Sequence, residues 1–413
     1  MKRALRIVGL LAACGTAGQA ATGTIAITGG TIQTMGPAGA IDQGTVVIVD
    51  GRIAAVGAGI PIPPGARIVD ARGKVVTPGL FDSLTQLGIV EVSAAEGTGD
   101  GAVKADRITA AFDVADAINP RSTLIAVNRI EGLTRAVVVP QPGNSLIAGQ
   151  GAVIHLGLAA DLVVRARVAM FAALGEQGAE LAGGARGAAM LRLREALQDA
   201  ADFDAHRRAF ASGDRREYAL SRLDLEALAP VARGELPLVV TVHRASDILA
   251  VLRLARELGL RLILAGAAEG WEVAREIAAA DVPVLVDPLD NLAQSFEQLG
   301  ATLANAARLR AAGVRVAFMT GDAHNARNVR QSAGNAVANG MPWHDALAAL
   351  TTAPAAIWGI ADRYGSLEPG KEADLVLWDG DPLEVTTFAD AVFIRGEEIP
   401  MESRQTLLRD RYK

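Results

Sequence analysis

Residues 238–286 read LVVTVHRASDILAVLRLARELGLRLILAGAAEGWEVAREIAAADVPVLV, and this stretch decides the fold. It contains three short apolar runs, which we interpret as buried strands, separated by two segments with helical spacing. The predicted strands are Leu238–His243, Arg261–Ala265 and Val282–Val286, and the predicted helices are Asp247–Leu258 and Gly270–Ala280. Strands that alternate with helices in this way indicate parallel βα units, because parallel strands need long crossover connections.

The same alternation continues on both sides of this stretch. Further strands are predicted at Leu80–Leu84, Ala136–Val139, Ala152–Leu156 and Val314–Met319, and further helices at Asn291–Ala312, Asn328–Asn339 and Trp343–Leu350. Six or seven such units within residues 80–360 favour an α/β fold with a TIM-like (β/α)8 barrel over an open sheet. Residues 162–235 interrupt the alternation with an Ala-, Arg-, Glu- and Leu-rich segment, here called the helical insert. A solvent-facing surface, a lid and a dimer surface are all open roles for it.

Both ends of the chain have β character. In residues 22–79, Asp50-Gly51 joins two β-rich runs, which is typical of a tight hairpin. In residues 361–400, two strands are predicted at Asp374–Trp378 and Ala391–Ile394. Because an isolated pair of strands is marginally stable in water, we expect these two segments to form one composite β-sandwich domain beside the barrel.

Residues 1–21 are predicted to be a signal peptide or a lipoprotein signal. A basic start is followed by an apolar run and small residues, at Lys2, Arg3 and Arg6, then Ile7–Ala13, then Gly18–Ala20. Cys14 is the only cysteine, and two outcomes are open: a lipid anchor on Cys14, or cleavage after Ala20. Both predict export, to the periplasm or to a lipid-anchored position in a bacterial envelope.

Composition narrows the classes of partner. The 413 residues are 50% hydrophobic and carry a net charge of −6 without a basic run, so nucleic acid is not an expected partner. No apolar stretch is long enough to span a membrane in the mature chain. The expected partner that remains is a small-molecule substrate, as the family resemblance described below implies, with a homo-oligomer left open.

Several motifs resemble one family. TTAPAA at residues 351–356 and YGSLEPGKEADLV at 364–376 resemble the C-terminal return of the amidohydrolase superfamily, and KVVTPGLFD at 74–82 resembles its first barrel strand. The closest branch is the imidazolonepropionase-like one, which GQGAVI at 149–154, HRASDI at 243–248 and GDAHNARN at 321–328 resemble. The resemblance implies a metal-assisted hydrolase of carbon–nitrogen bonds with a barrel and a composite β-sandwich.

The sequence departs from that family at its usual metal ligands. Members carry Asp-x-His-x-His after the first barrel strand, whereas this chain has Leu84 and Gln86 at the two histidine positions, after Asp82. Leucine cannot ligate a metal, and glutamine offers only a weak carbonyl oxygen. The usual histidine after the sixth strand is also missing, since Arg261–Ala265 continues into Gly266-Ala267. The metal motif is therefore degenerate.

Two residues keep the family's positions. His243 ends a predicted strand, and a residue at the carboxyl end of a barrel strand faces the mouth. Asp322 follows the last predicted strand, where the resemblance implies a metal ligand that also takes a proton from the attacking water. The alternatives are a histidine bonded at a strand end and an aspartate that caps the following helix.

His155 and His324 complete the candidate set. His155 ends a predicted strand and His324 follows Asp322 by two residues, although each is also compatible with an ordinary polar position. A catalytic zinc takes three protein ligands and keeps one open position, so His243, Asp322 and one of these two residues would supply at most a mononuclear site.

Three functions are consistent with these residues, and the weakest of them is metal-free hydrolysis with Asp322 as the base. The first is a hydrolase of a non-peptide carbon–nitrogen bond, assisted by at most one divalent metal such as zinc, with Asp322 as the catalytic base. The second is a catalytically inactive relative that binds a small molecule or a partner subunit, as the loss of histidine at positions 84 and 86 suggests.

Overall fold

The computed structural model describes residues 23–95, 97–104, 109–214 and 216–413. The predicted signal segment, with Cys14, lies outside the described residues. The strands, in chain order, are β1 (Ile25–Gln33), β2 (Ala40–Val49), β3 (Arg52–Ala58), β4 (Arg67–Asp70), β5 (Val75–Pro78), β6 (Leu80–Thr85), β7 (Leu133–Val138), β8 (Ile147–Gln150), β9 (Ala152–His155), β10 (Val163–Arg165), β11 (Met170–Ala173), β12 (Leu238–Val242), β13 (Leu262–Gly266), β14 (Val284–Val286), β15 (Val316–Phe318), β16 (Leu375–Trp378), β17 (Ala389–Ile394) and β18 (Glu397–Glu398).

The α-helices are α1 (Thr123–Arg129), α2 (Gly175–Leu181), α3 (Arg186–Ala205), α4 (Arg207–Ala211), α5 (Arg222–Ala232), α6 (Ala245–Leu258), α7 (Ala274–Ala279), α8 (Asn305–Ala311), α9 (Val329–Ala338), α10 (Trp343–Ala348), α11 (Thr352–Ile357) and α12 (Arg404–Arg411). Short 3-10 turns lie at Val114–Ala117, Gly270–Val273, Phe296–Gln298 and Ala326–Asn328. Within the described ranges, no helix is both long enough and apolar enough to cross a bilayer.

One sheet combines strands from both ends of the chain. Its strand order is β18-β17-β16-β5-β1-β2-β3, with β4 paired to β1. The joint between the two ends is the antiparallel pairing of β5 with β16, in which Val75 faces Trp378. The hairpin predicted at Asp50-Gly51 is present, and both residues have the positive φ that such a turn needs.

The central strands form two further sheets, ordered β10-β9-β7-β6 and β15-β14-β13-β12-β11-β8. The run from β12 to β15 is parallel throughout, as the alternation predicted. β11, which was not predicted, is parallel to β12. Both β8 and β9 run antiparallel to their neighbours, so the unit predicted at Ala152–Leu156 does not have the expected direction. Only Gly151 separates these two strands, which connects the sheets through a single residue.

These strands are buried on both faces. Alternate residues, such as Val239, Ile263 and Leu285, share one apolar cluster with Trp358 and Tyr364. Their sequence neighbours pack into a second cluster with the surrounding helices. Two-sided burial explains why the sequence shows continuous apolar runs here.

The loops depart from the predicted elements in two places. The helix expected at Asn291–Ala312 is restricted to α8, and residues 287–304 form an irregular segment with one 3-10 turn. The helical insert also starts later than predicted, because β10 and β11 occupy its first residues and α2 begins at Gly175.

Candidate functional site

The carboxyl ends of β12, β13 and β14 meet at one edge, because these strands are parallel and in register. His243 follows β12 and lies beside Gly266, the last residue of β13. A Cβ built at Gly266 would be 2.5 Å from His243 Cε1, and Gly266 has φ +83°. Glycine at this position therefore leaves the space that the imidazole ring occupies.

A glutamine holds the His243 ring. Gln298 Nε2 lies 3.2 Å from His243 Nδ1 and 3.2 Å from Asp290 Oδ2. An amide nitrogen only donates, so Nδ1 accepts and the proton of a neutral ring is on Nε2. Burial lowers the pKa of His243, which favours that neutral form, although Asp290 opposes the shift.

Two aspartates after β14 belong to the same site. Asp287 Oδ1 accepts a hydrogen bond from the Leu289 amide at 2.9 Å. Burial raises the pKa of Asp287 and also that of Asp290, and the charges of Asp287 and His243 both act on Asp290. Oδ1 of Asp290 is buried without a hydrogen-bond partner among the described residues. Partly buried carboxyl groups with raised pKa values are suited to proton transfer near neutral pH.

Asp82 lies deeper, within β6. Its carboxyl group contacts the amides of Leu84 and Thr320 at 3.0 and 3.3 Å, and the Thr320 hydroxyl at 2.6 Å. Complete burial raises the pKa of Asp82 to about 8, although these hydrogen bonds act in the opposite direction. The residue joins β6 to the segment that follows β15.

Asp322 forms a local turn. Its Oδ1 accepts the His324 amide at 2.8 Å, and its Oδ2 accepts the Asn325 side-chain amide at 3.1 Å. Its own amide donates to the Thr320 hydroxyl at 3.3 Å. Asp322 and His324 therefore lie close together after β15, in a segment that the Thr320 hydroxyl connects to Asp82.

His155 lies at the other end of the strands. Because β9 is antiparallel to β7, His155 pairs with Arg135 near the start of β7. Its Nδ1 accepts the Gly157 amide at 3.1 Å, and its Nε2 lies 3.1 Å from the Asp161 carbonyl. Burial, with the charge of Arg135, lowers its pKa to about 4. The structure therefore does not bring His155 together with His243.

The described residues do not fit a metal ion of the kind the family resemblance implies. Across the described ranges, no group of three or more His, Cys, Asp or Glu residues has an arrangement that could hold an ion. The reasons are visible at individual positions: Asp322 uses both oxygens in its turn, and a glutamine amide occupies His243 Nδ1. Leu84 is partly buried and apolar. It packs against the apolar cluster that contains Val239 and Ile263, here called the inner cluster.

The strand-end position predicted for His243 agrees with the structure, whereas Asp287, Asp290 and Gln298 were not among the predicted site residues. Asp287 carries the same signal as His243, a polar residue directly after an apolar strand, here Val282–Val286. Asp290 and Gln298 lie in the segment beside and within the helix expected at Asn291–Ala312, and no periodicity indicates their contact with His243.

Comparisons with known proteins define the class. The family model described as "Amidohydrolase family" matches residues 204–399. An amidohydrolase crystal structure from Thermotoga maritima is 28% identical, with a TM-score of 0.82, and the match covers 91% of this chain and 99% of that one. The fold and these matches are those of an amidohydrolase-type α/β protein, and they support assignment to the amidohydrolase superfamily.

Two further matches are more distant. The amidohydrolase TasK of Hapsidospora irregularis is 26% identical over 373 residues, and the match covers 81% of this chain but 37% of that protein's length. A molinate hydrolase structure is 20% identical with a TM-score of 0.55, covering 92% of this chain and 95% of that one. The second likeness shows the fold alone.

Proposed function

We propose that this protein hydrolyses a non-peptide carbon–nitrogen bond in a small molecule, at the carboxyl ends of β12, β13 and β14. The observation that carries the proposal is the His243–Gln298–Asp290 arrangement beside Asp287. The family-model match and the similarity to the Thermotoga maritima amidohydrolase support the hydrolase class.

In this proposal Asp287 is the general base, in place of the predicted Asp322. Its carboxylate accepts a proton from a water molecule as the water oxygen attacks the carbon of the scissile bond. The neutral ring of His243 donates from Nε2 to the oxygen that gains negative charge. The protonated Asp287 then gives its proton to the leaving nitrogen, which breaks the carbon–nitrogen bond and restores the carboxylate. No step depends on a metal ion, because the described residues do not fit one.

We also propose that the two inner sheets close into a barrel and that the sheet of both chain ends is a composite β domain. The Gly321 amide donates to the Leu84 carbonyl at 2.9 Å, which supports contact between the β6 and β15 edges. The domain limits would be residues 80–360 for the barrel and 22–79 with 361–400 for the β domain.

A second function, an inactive relative that binds a small molecule or a partner subunit, is favoured by one observation. Leu84 and Gln86 occupy the positions at which the family carries histidine. If binding alone has been retained, His243 and Asp287 would contribute to ligand affinity and no product would form.

The deciding experiment is turnover of a library of cyclic and linear amides, ureas and amidines by purified protein, before and after loading with zinc or manganese. Bound metal is quantified by elemental analysis in parallel. We expect turnover that His243→Ala and Asp287→Asn abolish and that metal loading does not change. His344→Ala and Asp362→Asn, at exposed positions, are the matched controls.

Three outcomes contradict the proposal. Turnover that appears only with stoichiometric metal would contradict the metal-free chemistry. Unchanged turnover in both site variants would show that the residues were misassigned. Ligand binding without product from any library member would support the inactive relative.

A further inference from the structure

A cavity lies in the outer layer, under the helical insert. It measures about 410 Å³, within the range of roughly 300–1,000 Å³ that small-molecule pockets occupy. Helix α3 forms one wall, and Ile147 at the start of β8 forms part of another. We propose that this cavity binds a small amphipathic zwitterion, of which an α-amino acid with a large apolar side chain is the simplest example.

The cavity is separate from the site at the strand ends. Ile147 belongs to the cluster between strands and helices, whereas its neighbour Ala148 belongs to the inner cluster. None of His243, Asp287 and Asp290 lines the cavity. Binding here is therefore independent of the proposed hydrolysis.

The floor of the cavity is apolar with one polar exception. Leu146, Leu193 and Ala196 are each at most 7% exposed and supply aliphatic contact surface. Thr109 is also 7% exposed, lines the cavity, and has a buried hydroxyl without a partner among the described residues. An unpaired buried hydroxyl is costly, so a bound group that hydrogen-bonds it gains affinity.

The rim carries one charge of each sign. Arg192 and Glu195 are exposed, line the cavity, and lie three residues apart on α3, so their side chains are neighbours. Within the described chain, neither makes an ion pair, and Arg192 makes only a 3.5 Å contact with the Leu181 carbonyl. A carboxylate at Arg192 and an ammonium group at Glu195 would place an apolar side chain toward the leucines below.

The test is isothermal titration calorimetry of the full chain with three probes: L-phenylalanine, 3-phenylpropionate and 2-phenylethylamine. We expect saturable binding of L-phenylalanine, and affinity at least about tenfold weaker for the two probes that lack one charge, because each loses a charge-assisted hydrogen bond. Arg192→Gln and Glu195→Gln should each weaken L-phenylalanine binding by a similar factor. Arg275→Gln and Glu276→Gln, exposed on α7, are matched controls that should not.

A buried variant separates binding from folding. Thr109→Val keeps the shape and removes the unpaired hydroxyl, so the melting temperature should be unchanged or higher while L-phenylalanine affinity falls about fivefold. L-Phenylalanine binding weaker than about 1 mM would overturn the proposal. Equal affinity for all three probes, or affinity unchanged in both rim variants, would overturn it as well.

Discussion

The Thr320 hydroxyl and the Asp82 carboxyl group share a 2.6 Å hydrogen bond, although 238 residues separate them in the chain. This bond joins β6 to the segment after β15. Burial makes the protonated carboxyl the favoured form, so the junction depends on a proton as well as on geometry.

The stability of this junction should depend on pH. The pKa of Asp82 is raised from about 3.9 in an unfolded chain to about 8. Its contribution is therefore full below about pH 4 and is lost as the pH rises towards about 8. Asp82→Asn mimics the protonated form. Its free energy of unfolding should therefore rise relative to that of the wild type as the pH increases from about 4 to about 8. Urea titrations at several pH values measure this difference in free energy of unfolding. A difference that is the same at every pH would show that Asp82 is ionised throughout.

The pH dependence of turnover should follow Asp287. A base must be unprotonated to act, and its raised pKa should place the acid limb of the rate profile above the ordinary range of about 3.9. Asp287→Asn should lower kcat by about 10²- to 10⁴-fold while the circular dichroism spectrum is unchanged. If Asp322→Asn instead removed the acid limb, the base would be the residue that the sequence indicated.

Gly266→Ala should impair the site more than the fold. The added methyl group would lie 2.5 Å from the His243 ring, and the positive φ costs about 1–2 kcal/mol by itself. Gly313→Ala is the control, since it has φ +91° and no neighbour within 4 Å. We expect similar losses of thermal stability from the shared φ cost, and a large loss of turnover only for Gly266→Ala. Equal turnover would show that the ring has room to move.

Arg135→Met should destabilise the contact between β7 and the sheet that combines strands from both chain ends. Arg135 is 2% exposed, contacts Asp374 and Glu372, and lies 3.9 Å from the Tyr364 ring centroid. Removing it leaves the buried Asp374 carboxylate without its cation, whereas Glu372 keeps its ion pair with Arg363. We expect a cost of about 3–5 kcal/mol in free energy of unfolding. Arg72→Met breaks an exposed pair with Asp70 and should change little in the same denaturant titration. Similar losses would show that water replaces Arg135.

The parallel strands were predictable because burial on both faces leaves continuous apolar runs, as at Leu238–Val242. His243 was found by the rule that strand carboxyl ends face one edge. The same rule misled at His155, since it presumes a parallel strand and β9 is antiparallel. The direction of β9 is set by its pairing with β7. The local residue pattern does not encode that pairing.

The partners of His243 were harder to predict. Gln298 reaches the ring across 55 residues from an irregular segment, and its position depends on tertiary packing and not on local propensity. Asp287 was accessible to sequence reasoning in principle, since it directly follows an apolar strand. The family resemblance instead led the sequence analysis to assign the base to Asp322, and the pH profiles of the two asparagine variants distinguish the two assignments.

The pairing of β5 with β16 also bears on how the chain is made. Val75 meets Trp378 only after some 300 further residues have been synthesised, which takes roughly 15–60 s at about 5–20 residues per second. During translation β5 therefore has an unpaired edge over this period. Unpaired strand edges can form hydrogen bonds with strands of other chains. The first hairpins therefore keep this unpaired edge until the residues of β16 have been synthesised.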